Sequence, residues 1–235
     1  MRRLVISLSA FTVFALVSGL LGTPAASAQQ QSVNLFVGGF VPRSVDARPD
    51  DDVLVNDQNF FNFGIRDFKG ATYGGEWLVS LGDNLEAGLG IGYYSQTVPS
   101  TYLNLVNSDG SEIEQDFKLR IVPFTATVRY LPLGRHAPIQ PYVGAGVGVL
   151  RFRYSETGQF VDSDNSIFNG NFVGSGTATG PIVLAGVRVP VGQFDPGFEV
   201  RYQSATGDLP ASQTFAGPRI DLGGFNYLFT FNIRF

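Results

Sequence analysis

The chain has 235 residues, a formal net charge of −4 and no cysteine. Without cysteine, an exported protein of this size has neither disulfides nor thiolate-bound metal to hold it together. Its length corresponds to one domain, and its acidic balance, with no basic cluster along the sequence, excludes a nucleic-acid-binding protein.

The first 28 residues have the order of a secretory signal peptide. Two arginines follow Met1, an uncharged apolar run covers residues 4–21, and Ala26-Ser27-Ala28 is a cleavage site of the A-x-A type. A membrane-anchoring helix is the alternative, because the apolar run approaches the length needed to span a bilayer. The cleavage site favours a signal peptide at 1–28. Its removal takes two arginines from the net charge of −4, which leaves 29–235 at about −6.

Segments of about ten residues in which apolar side chains alternate with small or polar ones run through the rest of the chain. A period of two is typical of β-strands, whereas the 3.6-residue period of an amphipathic helix is hard to find. The pattern predicts eight strands, at residues 32–41, 71–82, 85–98, 116–131, 141–155, 177–191, 196–205 and 223–235.

The connections between these strands alternate in length. Short turns join strands two and three, four and five, and six and seven, whereas 42–70, 99–115, 156–176 and 206–222 are long and polar. This alternation is expected of an up-and-down meander whose two ends face different compartments. Transmembrane β-barrels have short periplasmic turns, longer extracellular loops and an even number of strands.

The residues between the apolar positions decide which face of the sheet lies inside. In "VGAGVGV" (residues 143–149) valine and alanine alternate with glycine. A water-facing surface would normally carry Lys, Glu and Asp, whereas glycine fits the tightly curved inner wall of a small barrel. The sequence therefore predicts an all-β protein, an eight-stranded antiparallel up-and-down transmembrane β-barrel whose apolar side chains face lipid.

The last ten residues, "NYLFTFNIRF" (226–235), carry an aromatic or aliphatic side chain at every second position up to Phe235. Because every backbone N–H and C=O group in a bilayer must be paired, this strand is expected to close against the first strand and to end at the barrel rim. The aromatic terminus resembles the C-terminal recognition signal of Gram-negative outer-membrane proteins.

With the signal peptide and the strand number, residues 29–235 resemble the small OmpA/OmpW-type outer-membrane barrels, without the periplasmic domain of the OmpA branch. The resemblance implies export to the periplasm and insertion into the outer membrane. It implies contact with outer-membrane lipids and lipopolysaccharide, and recognition of the last strand by the barrel-assembly machinery. The residues of this implied assembly signal are Phe231, Ile233 and Phe235.

Charged residues on the inward phase of the predicted strands fall together in the periplasmic half of the barrel. Such groups would pair through charge-assisted hydrogen bonds, in a network that fills and stiffens the lumen. A gate that rearranges to pass small solutes, and a catalytic pair of carboxylates, are the alternatives. Because eight strands enclose room for side chains only, an open pore is not expected. The predicted network consists of Glu76, Glu86, Arg129, Arg188, Glu199, Arg201 and Arg234.

Predicted strands four and five change the face on which their apolar residues lie. The lipid-facing row of strand four includes Phe124, and beyond Pro123 the apolar residues take the other phase. A β-bulge, or emergence of the strands above the membrane, would explain the change. Alternatively, these residues face inward and line an apolar mouth for a hydrophobic ligand, as the resemblance to OmpW implies. The three residues concerned are Phe117, Leu119 and Ile121.

The first long connection contains the aromatic segment "FFNF", Phe60–Phe63. Connecting loops are mostly polar, so an aromatic cluster in a loop needs a surface to cover. The segment is expected to pack over the barrel mouth, and contact with a partner protein is the alternative.

No catalytic, cofactor or metal site is predicted. His136 is the only histidine and lies in the turn between strands four and five, so no Ser/His arrangement can be built at the outer rim. The expected function is therefore non-enzymatic, a structural or surface-interaction role for a barrel with a filled lumen and long extracellular loops whose partner the sequence does not name. A narrow conduit or binder for small hydrophobic compounds, and a soluble exported barrel that binds a ligand, are the alternatives.

Overall fold

The computed structural model describes residues 30–235, so the predicted signal peptide at 1–28 lies outside the described residues. It contains ten strands, two short 3-10 helices (Val45–Ala47 and Ile65–Phe68) and one α-helix, α1 (Val53–Asp57). In this part of the chain no helix combines the length and the hydrophobicity needed to cross a membrane. The strands are β1 (Gln31–Pro42), β2 (Gly70–Ser80), β3 (Leu85–Val106), β4 (Glu112–Tyr130), β5 (Gln140–Val161), β6 (Ile167–Arg188), β7 (Phe194–Gln203), β8 (Thr206–Asp208), β9 (Arg219–Asp221) and β10 (Gly224–Arg234).

Eight of these strands form a closed antiparallel barrel. Strands β1 to β7 are neighbours in chain order, and β10 lies between β7 and β1 and closes the ring. The closing register places Leu35 opposite Phe231 and Val37 opposite Phe229. The short strands β8 and β9 pair with each other and form a separate two-stranded sheet. The predicted fold class, an eight-stranded antiparallel up-and-down barrel, is confirmed.

Two hairpins are longer than the sequence predicts. The segments 99–115 and 156–176, predicted as loops, mostly continue the strands, and only 107–111 and 162–166 are turns. Strands β5 and β6 stay in register from Gln140 opposite Arg188 to Val161 opposite Ile167. The prediction failed there because polar residues and glycine interrupt the alternation of apolar residues in these extensions, as in "IFNGNFVGSG" (167–176), so that the sequence reads as a loop.

The outward face of the barrel changes its character along the strands. Towards the short turns the outward side chains are aliphatic and aromatic, and they are well exposed, for example Val147 at 62% and Phe229 at 69%. This surface, the apolar band, ends on β4 and β5 at Phe124 and Val149, which lie opposite each other. We call the part of the barrel that carries the band the lower tier, and the part beyond it the upper tier.

Successive side chains keep alternating between the inner and the outer face of the sheet from one tier to the next. Strands β4 and β5 pair without a register shift from Gln115 opposite Gly158 to Tyr130 opposite Val143. The apolar residues therefore move from the outer to the inner face of the sheet although no bulge is present between these two strands. On β4 and β5 the interior of the upper tier is apolar and its exterior is mainly polar, which is the reverse of the lower tier.

Candidate functional site

Four charged side chains meet in the lumen of the lower tier. Strand β4 supplies Arg129, β2 supplies Glu76, and β7 supplies Glu199 and Arg201; all four are buried. Arg129 donates hydrogen bonds to Glu76 and to Glu199, the latter at 2.9 Å. Arg201 lies 2.7 Å from Glu199 and 3.3 Å from Glu76. Two positive and two negative charges thus neutralise each other across the lumen.

Uncharged groups add hydrogen bonds to the two carboxylates of this cluster. The Thr127 hydroxyl donates to Glu76 at 2.7 Å, and the Tyr142 hydroxyl donates to Glu199 at 3.0 Å. The Tyr142 ring also lies 5.0 Å from the guanidinium carbon of Arg129, within cation–π range. Each carboxylate therefore has both ionic and neutral partners, which is the condition under which a buried ion pair is tolerated.

A second pair lies nearer the short turns. Arg188 donates to Glu86 at 3.0 Å and to the Gln140 side chain at 2.8 Å. Arg234 stands apart from both groups, because its side chain is 24% exposed and pairs with Asp195 at 3.1 Å. The seven residues that the sequence assigns to one network thus lie in three groups. Asp195 was missed because it precedes the predicted seventh strand.

The lower lumen has little free volume. A cavity beside Arg201 measures about 20 Å³, and another beside Arg188 about 10 Å³. A water molecule needs a volume of this order, so each cavity has room for roughly one. Side chains therefore occupy most of the space that the eight strands enclose.

The connection between β1 and β2, residues 43–69, folds into the upper end of the barrel, and we call it the plug. Its helix α1 is capped by Asp52, whose carboxylate accepts hydrogen bonds from the backbone N–H of Leu54 at 3.0 Å and of Asp221 at 2.5 Å. Arg48 donates to the Asp221 carbonyl oxygen at 2.7 Å. Burial raises the pKa of Asp52, against the lowering effect of Arg48. These contacts attach the plug to β9.

Two buried acids face each other where the plug meets β5. Asp57, at the end of α1, and Glu156 are both buried, and the Tyr154 hydroxyl donates to Asp57 at 3.1 Å. Burial, and next the charge of Glu156, raise the pKa of Asp57 to about 9. At neutral pH Asp57 is therefore protonated and can donate a hydrogen bond to Glu156. The sequence could not reveal this pair, because both residues fall in predicted loops.

The plug covers the three residues of the predicted apolar mouth. Phe117, Leu119 and Ile121 are all buried on the inner face of β4. The ring centroid of Phe117 lies 5.2 Å from that of Phe61 and 5.1 Å from that of Phe63, both edge to face. The aromatic segment of the first connection thus packs over the mouth, and the interior of the upper tier is an apolar core.

The last strand pairs along its whole length with β1 and β7. Phe231 points outward and stacks on Phe194 at 5.2 Å between centroids. Ile233 lies opposite Val33, and the backbone N–H of Phe235 donates to the Gln31 carbonyl oxygen at 3.1 Å. This pairing leaves the side chains of Phe231 and Phe235 exposed on the outer surface.

Residues 30–235 hold no group of three or more His, Cys, Asp or Glu side chains placed to bind a metal ion. His136 lies in the β4–β5 turn with its side chain 76% exposed, and its nearest acid is Asp83 at 3.7 Å. It is therefore far from the buried carboxylates of the lumen, at the opposite end of the barrel from the plug.

No protein-family model and no curated protein sequence matches the chain. Among solved structures it is similar to Neisserial surface protein A, with 15% identity, a TM-score of 0.49, and 88% of this chain and 97% of that chain covered. It is also similar to the outer membrane protein AlkL in lipid bilayers, with 20% identity, a TM-score of 0.41 and coverages of 91% and 95%. For Escherichia coli outer membrane protein W the identity is 14%, the TM-score 0.41 and the coverages 88% and 100%. The predicted resemblance to OmpA/OmpW-type barrels is confirmed as a likeness of fold.

Proposed function

We propose that the protein is an integral outer-membrane β-barrel with a side-chain-filled lumen, and that its upper tier has a structural or surface-interaction role. The observation that carries the proposal is the apolar band. A closed barrel that displays side chains such as Val147, Phe229 and Leu89, all more than half exposed, around its outer surface is suited to lipid and not to water.

Cell fractionation combined with heat-modifiable gel mobility tests this assignment. We expect the protein in the outer-membrane fraction, and we expect the unheated band to migrate differently from the heated one because a closed barrel resists unfolding. Recovery of a folded monomer from the periplasmic fraction without detergent would instead support the soluble exported barrel.

The filled lumen supports a role that does not depend on conduction. The charged cluster around Arg129 crosses the lower tier, and the plug occupies the upper tier above it. Planar-bilayer recordings of the purified protein are expected to show no current above background. A steady current would contradict the filled lumen and favour the gate.

A binder or narrow conduit for small hydrophobic compounds is the second candidate. The apolar interior of the upper tier favours it, because Phe117, Leu119 and Ile121 would line the route if the plug moved aside. Alanine at these three positions should then reduce the binding and uptake of hydrophobic compounds by liposomes that contain the protein. Unchanged binding and uptake would remove this candidate.

The exposed aromatic side chains of the last strand support its recognition by the barrel-assembly machinery. Phe231 and Phe235 lie on the outer face of β10, where another protein can reach them before the strand closes against β1. Replacing Phe235 by alanine should slow assembly in cells without altering the stability of the assembled barrel. An unchanged assembly rate would exclude Phe235 from the signal.

A further inference from the structure

Four positive charges lie together on the outer face of the barrel, directly above the apolar band. Lys118 and Arg120 on β4, and Arg151 and Arg153 on β5, all point outward and are exposed. Within residues 30–235 they are the only outward-facing lysines and arginines of the barrel strands, and none of them forms an ion pair. We call these four residues the basic patch.

The arrangement of the basic patch is unfavourable on its own. Arg120 lies directly opposite Arg153 in the β4–β5 register, and Arg151 is the next outward residue on the same strand as Arg153. Like charges that face each other across two strands destabilise a sheet. A bound anion would relieve this repulsion, and arginine side chains pair especially well with phosphate oxygens.

A groove on the outer surface continues downward from the patch. It has a volume of about 670 Å³, and its outward lining includes Trp77, Leu89, Phe124 and Val149. Val149 is the outward residue immediately below Arg151 on β5. The groove forms because the central outward side chain, Ala126, is small between its larger neighbours, so that a flexible hydrocarbon chain can lie against the barrel.

We propose that the basic patch and this groove form a binding site for one phosphorylated lipid of the surrounding leaflet. The phosphate group would lie between Arg120, Arg151 and Arg153, with Lys118 at its edge, and one acyl chain would occupy the groove. The inference deepens the proposed function and rests on it, because a lipid can reach this face only when the apolar band is in a bilayer. Charge complementarity between the patch and a phosphate group selects an anionic lipid over a zwitterionic one.

The single tryptophan of the chain, Trp77, lines the groove, so quenching of its fluorescence reports a lipid bound there. Across the sheet, Trp77 lies side by side with Leu89, Ala126 and Val147. Val147 is four residues below Arg151, so the level of Trp77 is about 13 Å along the strand from that arginine. The protein is reconstituted in phosphatidylcholine vesicles in which either brominated phosphatidylcholine or brominated phosphatidic acid replaces the same fraction of lipid. Brominated phosphatidic acid is expected to quench Trp77 fluorescence more strongly, and added salt should reduce the difference.

The double variant Arg120→Gln/Arg153→Gln should lower the relative affinity for phosphatidic acid by at least about fivefold. The matched control is Arg66→Gln/Lys69→Gln, which removes two exposed positive charges from the plug and should retain the preference. Heat-modifiable mobility of each variant verifies that the barrel is closed.

The outcomes separate the lipid site from the membrane assignment. Equal quenching by both brominated lipids in the unmodified protein would overturn the lipid site and leave insertion intact. A preference that persists in the Arg120/Arg153 variant would overturn the role of the basic patch. No quenching by either lipid would overturn the membrane assignment together with the inference.

Discussion

Arg129 is the residue on which the charge balance of the lower lumen depends. It is fully buried and hydrogen-bonded to both Glu76 and Glu199, which come from strands β2 and β7. Removing its charge would leave two carboxylates in a closed space with Arg201 as their only cation. A buried ion pair adds little over an apolar filling, but a buried charge without its partner is strongly destabilising.

The variant Arg129→Met should therefore lower the free energy of unfolding by about 3–5 kcal/mol. Urea unfolding of the barrel in lipid vesicles, followed by gel mobility, measures this difference. Arg135→Met is the control, because Arg135 pairs with Asp83 at 3.3 Å on the surface, where such a pair contributes less than about 1 kcal/mol. Equal losses for the two variants would show that the lumen network does not stabilise the barrel.

Two adjacent glycines of β1 test whether the inner wall requires the absence of a side chain. A Cβ atom on Gly38, which faces inward at the closing seam, would lie 1.9 Å from the carbonyl oxygen of Tyr227 on β10. A Cβ on Gly39, which faces outward, would meet its nearest atom, the Gly70 carbonyl oxygen, at 3.9 Å. The first contact requires the two strands to move apart, and the second is ordinary packing.

Gly38→Ala should consequently reduce the unfolding free energy by about 1–3 kcal/mol, whereas Gly39→Ala should change it by less than about 0.5 kcal/mol. The urea midpoints of the two variants in vesicles provide the comparison. If Gly38→Ala is as stable as Gly39→Ala, the close approach of β1 and β10 does not require glycine at position 38.

The plug is the element whose stability depends on pH. Asp57 lies in α1 against Tyr154 and Glu156 of β5, with Asp52 at the other end of the helix. Its pKa is raised from 3.8 to about 9 by burial and then by the charge of Glu156. The folded protein thus holds a proton that the unfolded chain releases between these two values. The stabilisation from this group is complete below the unfolded pKa and is lost as the pH rises towards about 9.

The variant Asp57→Asn keeps a neutral hydrogen-bonding side chain and should flatten this decline. Calorimetric melting in detergent micelles across the window from 3.8 to about 9 measures the slope for the variant and the unmodified protein. Asp46→Asn, at an exposed position of the plug, should leave the slope as it is. An identical slope for Asp57→Asn would mean that Asp57 titrates normally in the folded protein.

The elements that the sequence predicts correctly are those whose two faces differ in polarity. In the lower tier, an apolar outer face and a tight lumen impose a strict alternation, so the barrel strands and the inward phase of Glu76 and Arg129 could be assigned. The strand extension at 167–176 could not be predicted, because asparagine, serine and glycine interrupt its apolar residues and leave no regular alternation. The pair of Asp57 and Glu156 forms only when the plug packs against β5, and the local sequence around either residue does not predict this packing.

The barrel as a whole has two tiers whose inner and outer faces are opposite in polarity, and one continuous sheet forms both. The lower tier is apolar outside and ionic inside, whereas the upper tier has an apolar core, covered on β4 and β5 by charged side chains. Side chains alternate between the inner and outer face without interruption through both tiers. Only the residue types change, because apolar residues lie on the outer face in the lower tier and on the inner face in the upper tier. The boundary at Phe124 and Val149 is therefore the expected level of the membrane surface, and the basic patch lies immediately beyond it.

This division predicts opposite responses to the same new side chain on the outer face. Phe229 lies at the middle of β10 (Gly224–Arg234), near the expected bilayer midplane, so Phe229→Arg should reduce the free energy of folding into vesicles by about 2–4 kcal/mol. Glu114→Arg places arginine on the outward face of β4 in the upper tier, where water solvates it, and should change this free energy by less than about 0.5 kcal/mol. Folding titrations in urea with phosphatidylcholine vesicles measure both values. Equal tolerance at the two positions would mean that Phe229 faces water, and the apolar band would then have to be covered by protein instead of lipid.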